Sequence, residues 1–300
     1  MTTFKGAFTA LITPMKGNGD IDFDGFRRLV QFQLENGIDG LVPIGTTGET
    51  PTLEECEEER LLEIVMKEAG GRVPVIAGSG SNSTKHAVLY TKRAKDLGAD
   101  AALVVTPYYN KPNDEGLLRH FEAVAAVGIP VIVYNIASRT GRNIPAPLME
   151  RLAEIPNIAG VKEASGDINQ MADVINSVKR RGGGAFAVLS GDDALTLPLL
   201  ALGGDGVISV ISNLVPARVA ALVKAGLAGD FETARVIHYE LLRFTKAAFA
   251  ETNPVPIKRA MEFAGLPAGP ARLPLGRISE ANEKIVREAV KALGIQPQII

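Results

Sequence analysis

A lysine that closes an apolar run is the residue best placed to do chemistry in this chain. Ala159-Gly160-Val161-Lys162-Glu163 reads as a strand in which alternation puts Lys162 and Gly160 on one face and Val161 and Glu163 on the other. If the lysine's face is a barrel interior, loss of water disfavours the ammonium and leaves a neutral amine able to attack a ketone. The run alone leaves two other readings open: a lysine that turns out to the surface, and one paired structurally with a carboxylate. Tyr134 ends another run, Val131–Tyr134, where its phenol can shuttle protons beside threonine hydroxyls or serve as a core aromatic with one hydrogen bond. Thr46 and Thr47, flanked by Gly45 and Gly48, can present hydroxyl and backbone N–H groups to a carboxylate, or can simply form a tight turn. Arg139 has the planar fork that grips a carboxylate, although a lone loop arginine is more often just solvated.

Other chemistry-bearing residues lead less far. Gly78-Ser79-Gly80 hints at a phosphate cradle, but neither a dinucleotide pattern nor a P-loop lysine follows it. His86, His120 and His238 are far apart and lack metal-ligand spacing. Asp192 and Asp193 are better read as capping the next helix than as holding a metal. Gly203-Gly204-Asp205-Gly206 reads as a turn before the last strand.

The elements that must position these residues are short β-branched runs separated by helical segments. Strands are expected near Ala7–Ile12, Leu41–Ile44, Pro74–Ala77, Ala102–Thr106, Val131–Tyr134, Ala159–Lys162, Ala187–Ser190 and Gly206–Val210. They are apolar on both faces, as buried parallel strands should be, and each gap is long enough for a crossover helix. Helices are expected over Phe23–Glu35, Thr84–Leu97, Glu115–Val127, Ile168–Lys179 and Ala194–Ala201. Another follows Thr52-Leu53-Glu54-Glu55, a capping-box pattern whose acids suit a helix N-terminus. Eight such units point to a closed α/β structure, a (β/α)₈ TIM barrel over residues 1–215, with its active site at the C-terminal strand ends. Pro216–Ala228, Phe231–Phe249, Pro256–Ala264 and Ser279–Leu293 form a C-terminal helical extension over 216–300, expected to pack on the barrel because no Ser/Gly-rich linker precedes it.

Composition excludes several partners. Lys plus Arg total 32 against 34 Asp plus Glu, a net charge of −2, so no basic field exists to hold nucleic acid. The longest apolar stretch, Val127–Ala137, is shorter than a membrane span and is interrupted by Pro130 and Asn135. The N-terminus lacks the layout of a secretory signal. Cys56 is the single cysteine, which rules out an internal disulfide and fits a cytoplasmic location.

The strand-end residues also carry a resemblance. FTALITP, GTTGE, AGSGSN, VTPYYNKP, YNIASRTG, GVKEASGD, LSGDD, GVISV, NPVPIKRAMEFAGL and RLPL occur in this order over nearly the whole chain. Together they resemble the dihydrodipicolinate synthase/N-acetylneuraminate lyase family of class I aldolases. The resemblance implies that Lys162 forms a Schiff base with pyruvate. It also implies a proton relay of Tyr134, Thr47 and Tyr109, with Tyr109 reaching into a neighbouring subunit's site. Thr46 and Thr47, with backbone at Gly191 and Ile208, would hold pyruvate, and Arg139 would bind the carboxylate of the second substrate. No metal or cofactor is implied, and a homotetramer built from dimers is.

Arg139 in a Ser-Arg-Thr-Gly context is similar to the branch that condenses pyruvate with L-aspartate 4-semialdehyde in lysine biosynthesis. Ala137 departs from the proline common there. The alternatives are retro-aldol cleavage of a 2-keto-3-deoxy sugar acid or N-acetylneuraminate, and a non-catalytic binding barrel. In lysine-sensitive relatives an inhibitor pocket corresponds to Thr50, Pro51, Glu55, Glu58, Asn82, His86 and Tyr108. His86 replaces a glutamate there and supplies no fixed negative charge, so feedback by lysine is expected to be weak or absent.

Overall fold

The computed structural model describes residues 4–180 and 185–295. The strands are β1 (Gly6–Ala10), β2 (Gly40–Val42), β3 (Ile76–Gly78), β4 (Ala101–Val105), β5 (Val131–Asn135), β6 (Ile158–Glu163), β7 (Ala187–Ser190) and β8 (Gly206–Ser209). They form one sheet in the order β2-β1-β8-β7-β6-β5-β4-β3 with every paired neighbour parallel. A parallel bridge between Leu41 and Val75 brings β2 against β3 and closes the (β/α)₈ barrel.

Alternation along the strands sorts side chains into two apolar layers. Phe8, Val42, Ile76, Leu103, Ile132 and Leu189 fill the barrel interior, while Leu41, Ala77, Val104, Val133, Val161 and Val207 face the helices. Successive residues of one strand therefore enter different environments, and this parity decides what Lys162 meets.

The helices are α1 (Phe23–Glu35), α2 (Glu55–Ala69), α3 (Thr84–Asp96), α4 (Asp114–Ala125), α5 (Ala137–Thr140), α6 (Ala146–Ala153), α7 (Ile168–Val174), α8 (Thr196–Ala201), α9 (Pro216–Leu227), α10 (Phe231–Ala248), α11 (Val255–Phe263) and α12 (Glu280–Ala292). Asp22 starts α1 by accepting the Gly25 N–H at 2.9 Å, and the helix buries Phe26, Leu29 and Val30. Asn113 caps α4 in the same way through the Gly116 N–H.

Several local expectations need correction. The capping box of α2 lies two residues later than the Thr52 pattern suggests, because Leu53 is extended and Glu54 is the cap. The Glu54 N–H donates to the Glu57 carboxylate at 2.9 Å, and the Thr52 hydroxyl instead donates to the Glu49 carbonyl. The helix expected to reach Lys179 is α-helical only to Val174 and continues as a π-turn through Arg180. α5 and α6 are not among the expected helices: α5 is four residues long, and α6 starts inside Pro145-Ala146-Pro147, with Pro145 as its cap and Pro147 in its first turn.

α9 packs against β1 and β8, and α10 and α12 close over α9 and α11. Phe244, Ile257 and Met261 are fully buried in the core shared with the barrel's outer layer. Residues 1–3, 181–184 and 296–300, which fall within the expected barrel and C-terminal ranges, lie outside the described residues. Among the described residues, no helix is long and apolar enough to cross a membrane.

Candidate active site

Lys162 points into the barrel near its C-terminal mouth. The sheet register sets it beside Tyr134 of β5 and Leu189 of β7, and it is only 5% exposed. Its Nζ lies 4.2 Å from the centroid of the Tyr134 ring. Gly191 makes the room: a Cβ there would lie 3.1 Å from Cε and Cγ of Lys162 and 2.7 Å from the Ala164 Cβ. Gly160, the lysine's partner in parity, allows β6 to approach β7, since a Cβ there would stand 2.6 Å from the Ala187 carbonyl oxygen.

Burial brings the Lys162 ammonium down to about 8; the Asp193 carboxylate works against that fall and the Arg139 guanidinium adds to it. A free amine is thus accessible near neutral pH. The Tyr134 phenol moves the other way. Burial raises it to about 12, with the charge of Arg139 and the neighbouring Thr46 side chain partly opposing. The phenol stays protonated beside the amine.

The two threonines sit on a 3₁₀ turn, Thr46–Gly48, bracketed by Ile44 at φ 52° and Glu49 at φ 61°. Their side chains diverge. The resemblance implied Thr47 as the relay hydroxyl, but Thr46 is the threonine beside the Tyr134 phenol. The Thr47 oxygen is turned away to accept from Asn253 Nδ2 at 3.0 Å. Adjacent residues of so tight a turn cannot both face one target, and spacing does not reveal which one does.

Arg139 lies on α5, where its guanidinium donates to the Asn253 carbonyl at 3.1 Å. Ile208 is buried in the barrel interior on β8, beside Phe8 of β1. The Gly191 N–H donates to the Glu163 carbonyl at 2.7 Å, so only its carbonyl remains for a ligand. Tyr109 is not brought to the lysine of its own chain. It adopts φ 72° and is 90% exposed.

Three residues with a bearing on the site were missed from the sequence. Asp193 does not cap a helix: Asp192 does, accepting the Ala194 N–H at 2.8 Å. Asp193 is buried, accepts the Ser209 hydroxyl and the Val210 N–H, and is raised by burial to about 6. Asn253 and Lys258 come from the C-terminal helical region; the NPVPIK segment carries a family resemblance, but nothing local signals their targets.

A cavity of about 500 Å³ opens at the mouth and is lined by Thr46, Tyr134 and Arg139. The same depression takes in Thr50, Pro51, Glu55, Glu58, Asn82, His86 and Tyr108, so within one chain these seven residues share a cavity with Thr46, Tyr134 and Arg139. Burial raises Glu58 to about 7, while Arg93, which pairs with Glu55 and Glu59, pulls the other way. His86 stacks on Tyr90 with ring centroids 6.0 Å apart.

Fold and site define an α/β-barrel enzyme that holds a buried amine at its C-terminal strand ends. The model of the Dihydrodipicolinate synthetase family matches residues 3–293, and the chain belongs to this family. It is 52% identical over 290 residues to the 4-hydroxy-tetrahydrodipicolinate synthase of Protochlamydia amoebophila, covering 96% of each chain. The crystal structure of dihydrodipicolinate synthase from Aquifex aeolicus matches with a TM-score of 0.94 at 45% identity, over 99% of this chain and 100% of that one. The chloride-inhibited dihydrodipicolinate synthase of Acinetobacter baumannii, complexed with pyruvate, matches with a TM-score of 0.94 at 40% identity, over 98% and 100%.

Proposed function

We propose that this chain is a 4-hydroxy-tetrahydrodipicolinate synthase, a lyase that condenses pyruvate with L-aspartate 4-semialdehyde on a Schiff base at Lys162. The observation that carries the mechanism is the buried amine itself, held against Tyr134 inside the barrel mouth. The neutral Nζ adds to the pyruvate ketone carbon, and the carbinolamine oxygen leaves as water after gaining a proton through Tyr134. The resulting iminium acidifies the pyruvate methyl group. Loss of one of its protons to the Tyr134 relay gives an enamine, whose carbon attacks the aldehyde carbon. The aldehyde oxygen takes a proton back from the relay to become a hydroxyl, and the iminium is restored. The substrate's amino group then adds to the iminium carbon, closes the ring and displaces Lys162 as a free amine.

In this reading Thr46 extends the Tyr134 relay through its hydroxyl, and the backbone N–H groups of Thr46 and Thr47 hold the pyruvate carboxylate, with backbone at Gly191 and Ile208 lining the same end. Arg139 takes the aldehyde substrate's carboxylate. The exposure of Tyr109 supports its entry into a neighbour's site, and with it a homo-oligomer, which we propose is a tetramer built from dimers. We place the enzyme in the cytoplasm and divide it into the barrel, 1–215, and a helical region, 216–300. We assign the outer cavity residues, Thr50, Pro51, Glu55, Glu58, Asn82, His86 and Tyr108, to a site for lysine that lacks a fixed charge at His86.

Borohydride reduction in the presence of pyruvate tests the mechanism. The expected product is a stable adduct on the peptide containing Lys162; intact enzyme with no adduct would refute it. Consumption of pyruvate with aspartate semialdehyde, rather than its release from keto-deoxy sugar acids, tests the direction and the partner.

A further inference from the structure

The threonine turn is unfavourable at both ends. Ile44 and Glu49 occupy left-handed conformations, and for a β-branched residue this is a genuine outlier. Such geometry persists only where the surroundings over-determine it. Here the surroundings are largely the C-terminal helical region. Lys258, 2% exposed, donates from Nζ to Glu49 Oε1 at 2.6 Å, to the Thr13 carbonyl at 3.0 Å and to the Pro270 carbonyl at 2.8 Å. Its three protons are thereby all committed. The other Glu49 oxygen accepts the Arg272 N–H at 2.8 Å. Asn253 Nδ2 holds Thr47 at 3.0 Å, and the Thr13 hydroxyl holds the Gly48 carbonyl at 2.7 Å. Three consecutive residues, Thr47, Gly48 and Glu49, are thus tied down directly, two of them by groups beyond position 250.

We propose that Asn253 and Lys258 are positioning residues for the reaction: through them the C-terminal helical region sets the turn so that Thr46 meets Tyr134. Stability alone does not explain them. A buried ion pair is often no more stabilising than apolar residues of similar volume, so its retention beside the threonines points to geometry. Asn253 gives the same indication. Its side chain reaches Thr47 at 3.0 Å and its backbone carbonyl accepts the Arg139 guanidinium at 3.1 Å, so one residue touches both the turn and the arginine of the site.

This inference rests on the imine-forming reading of the site. The test uses the full chain and compares the wild type with Asn253→Ala and with the double variant Glu49→Met/Lys258→Met, which removes the pair without stranding a buried charge. Each is measured for thermal midpoint, for kcat and KM with both substrates, and for the rate and final extent of borohydride trapping with saturating pyruvate. The expected result is a loss of kcat on the order of 100-fold, as for a reacting group misplaced by about 1 Å. Trapping should be slower but reach the wild-type extent, because Lys162 is untouched. Folded variants with wild-type kcat and trapping rate would overturn the proposal, as would a lowered midpoint with unchanged kcat per folded molecule. If the double variant does not fold, Asn253→Ala decides alone, since it removes a single amide. A wild type that traps no pyruvate would instead defeat the functional reading itself.

Discussion

The pH dependence of imine formation should report the burial of Lys162 directly. Its fall from 10.5 to about 8 is worth about 3 kcal/mol against the ammonium. At pH 7 an ordinary lysine is neutral in roughly one molecule in three thousand, whereas one with a pKa near 8 is neutral in about one in ten. The barrel therefore supplies roughly 300-fold more nucleophile. With subsaturating pyruvate, the trapping rate should climb about tenfold per pH unit below 8 and level off above it. Two charge removals should then move the inflection in opposite directions. Asp193 holds the lysine up, so Asp193→Asn should shift it to lower pH; Arg139 pushes it down, so Arg139→Gln should shift it higher. Stopped-flow or quenched trapping from pH 6 to 10 would measure all three. A wild-type rate still rising tenfold per unit at pH 10, or both variants moving the same way, would refute the argument that desolvation activates this amine.

The same burial costs stability. Because the unfolded chain binds the proton more tightly than the folded one, stability contributed at Lys162 rises between pH 8 and 10.5, and the penalty is largest below 8. Lys162→Met should therefore abolish trapping while stabilising the fold at pH 7 by up to about 3 kcal/mol, read by denaturant midpoint; a destabilised variant would contradict this. Gly191→Ala places a methyl group 2.7 Å from Ala164 and 3.1 Å from the lysine side chain, and kcat should fall on the order of 100-fold with little change in secondary structure by circular dichroism. His86→Glu adds a fixed charge to the outer cavity and should tighten lysine binding by up to about fivefold in calorimetry, the scale of one added ion pair in a partly exposed site. Unchanged binding would remove His86 from the assigned site.

What the sequence disclosed follows from which interactions are local. Eight buried parallel strands leave eight apolar runs, and strand parity alone places Lys162 and Glu163 on opposite faces. β6 keeps that parity: the lysine enters the barrel, and Glu163 turns outward to accept from Asn135, Gln170 and the Ser165 N–H. Illegible features depend on distant partners or on fine turn geometry. Thr46 and Thr47 are indistinguishable as letters, and only the path of the 3₁₀ turn sends one to Tyr134 and the other to Asn253. Asp193 reads as a cap because it begins a helical stretch; its true partners, Ser209 and Val210, lie at the end of β8 and just beyond it. Lys258 sits in an ordinary amphipathic helix pattern that conceals a buried charge.

The bonds from Asn253 to Thr47 and from Lys258 to Glu49 close loops of 206 and 209 residues. Contacts of such sequence separation are among the last a folding chain can form, and none of them can form before the far partner has been synthesised. A growing chain has all eight strands by Ser209, well before either latch residue exists. During synthesis the barrel and its lysine therefore precede the fastening of the mouth. A chain ending short of Asn253 would have every strand, yet its threonine turn would be free to relax.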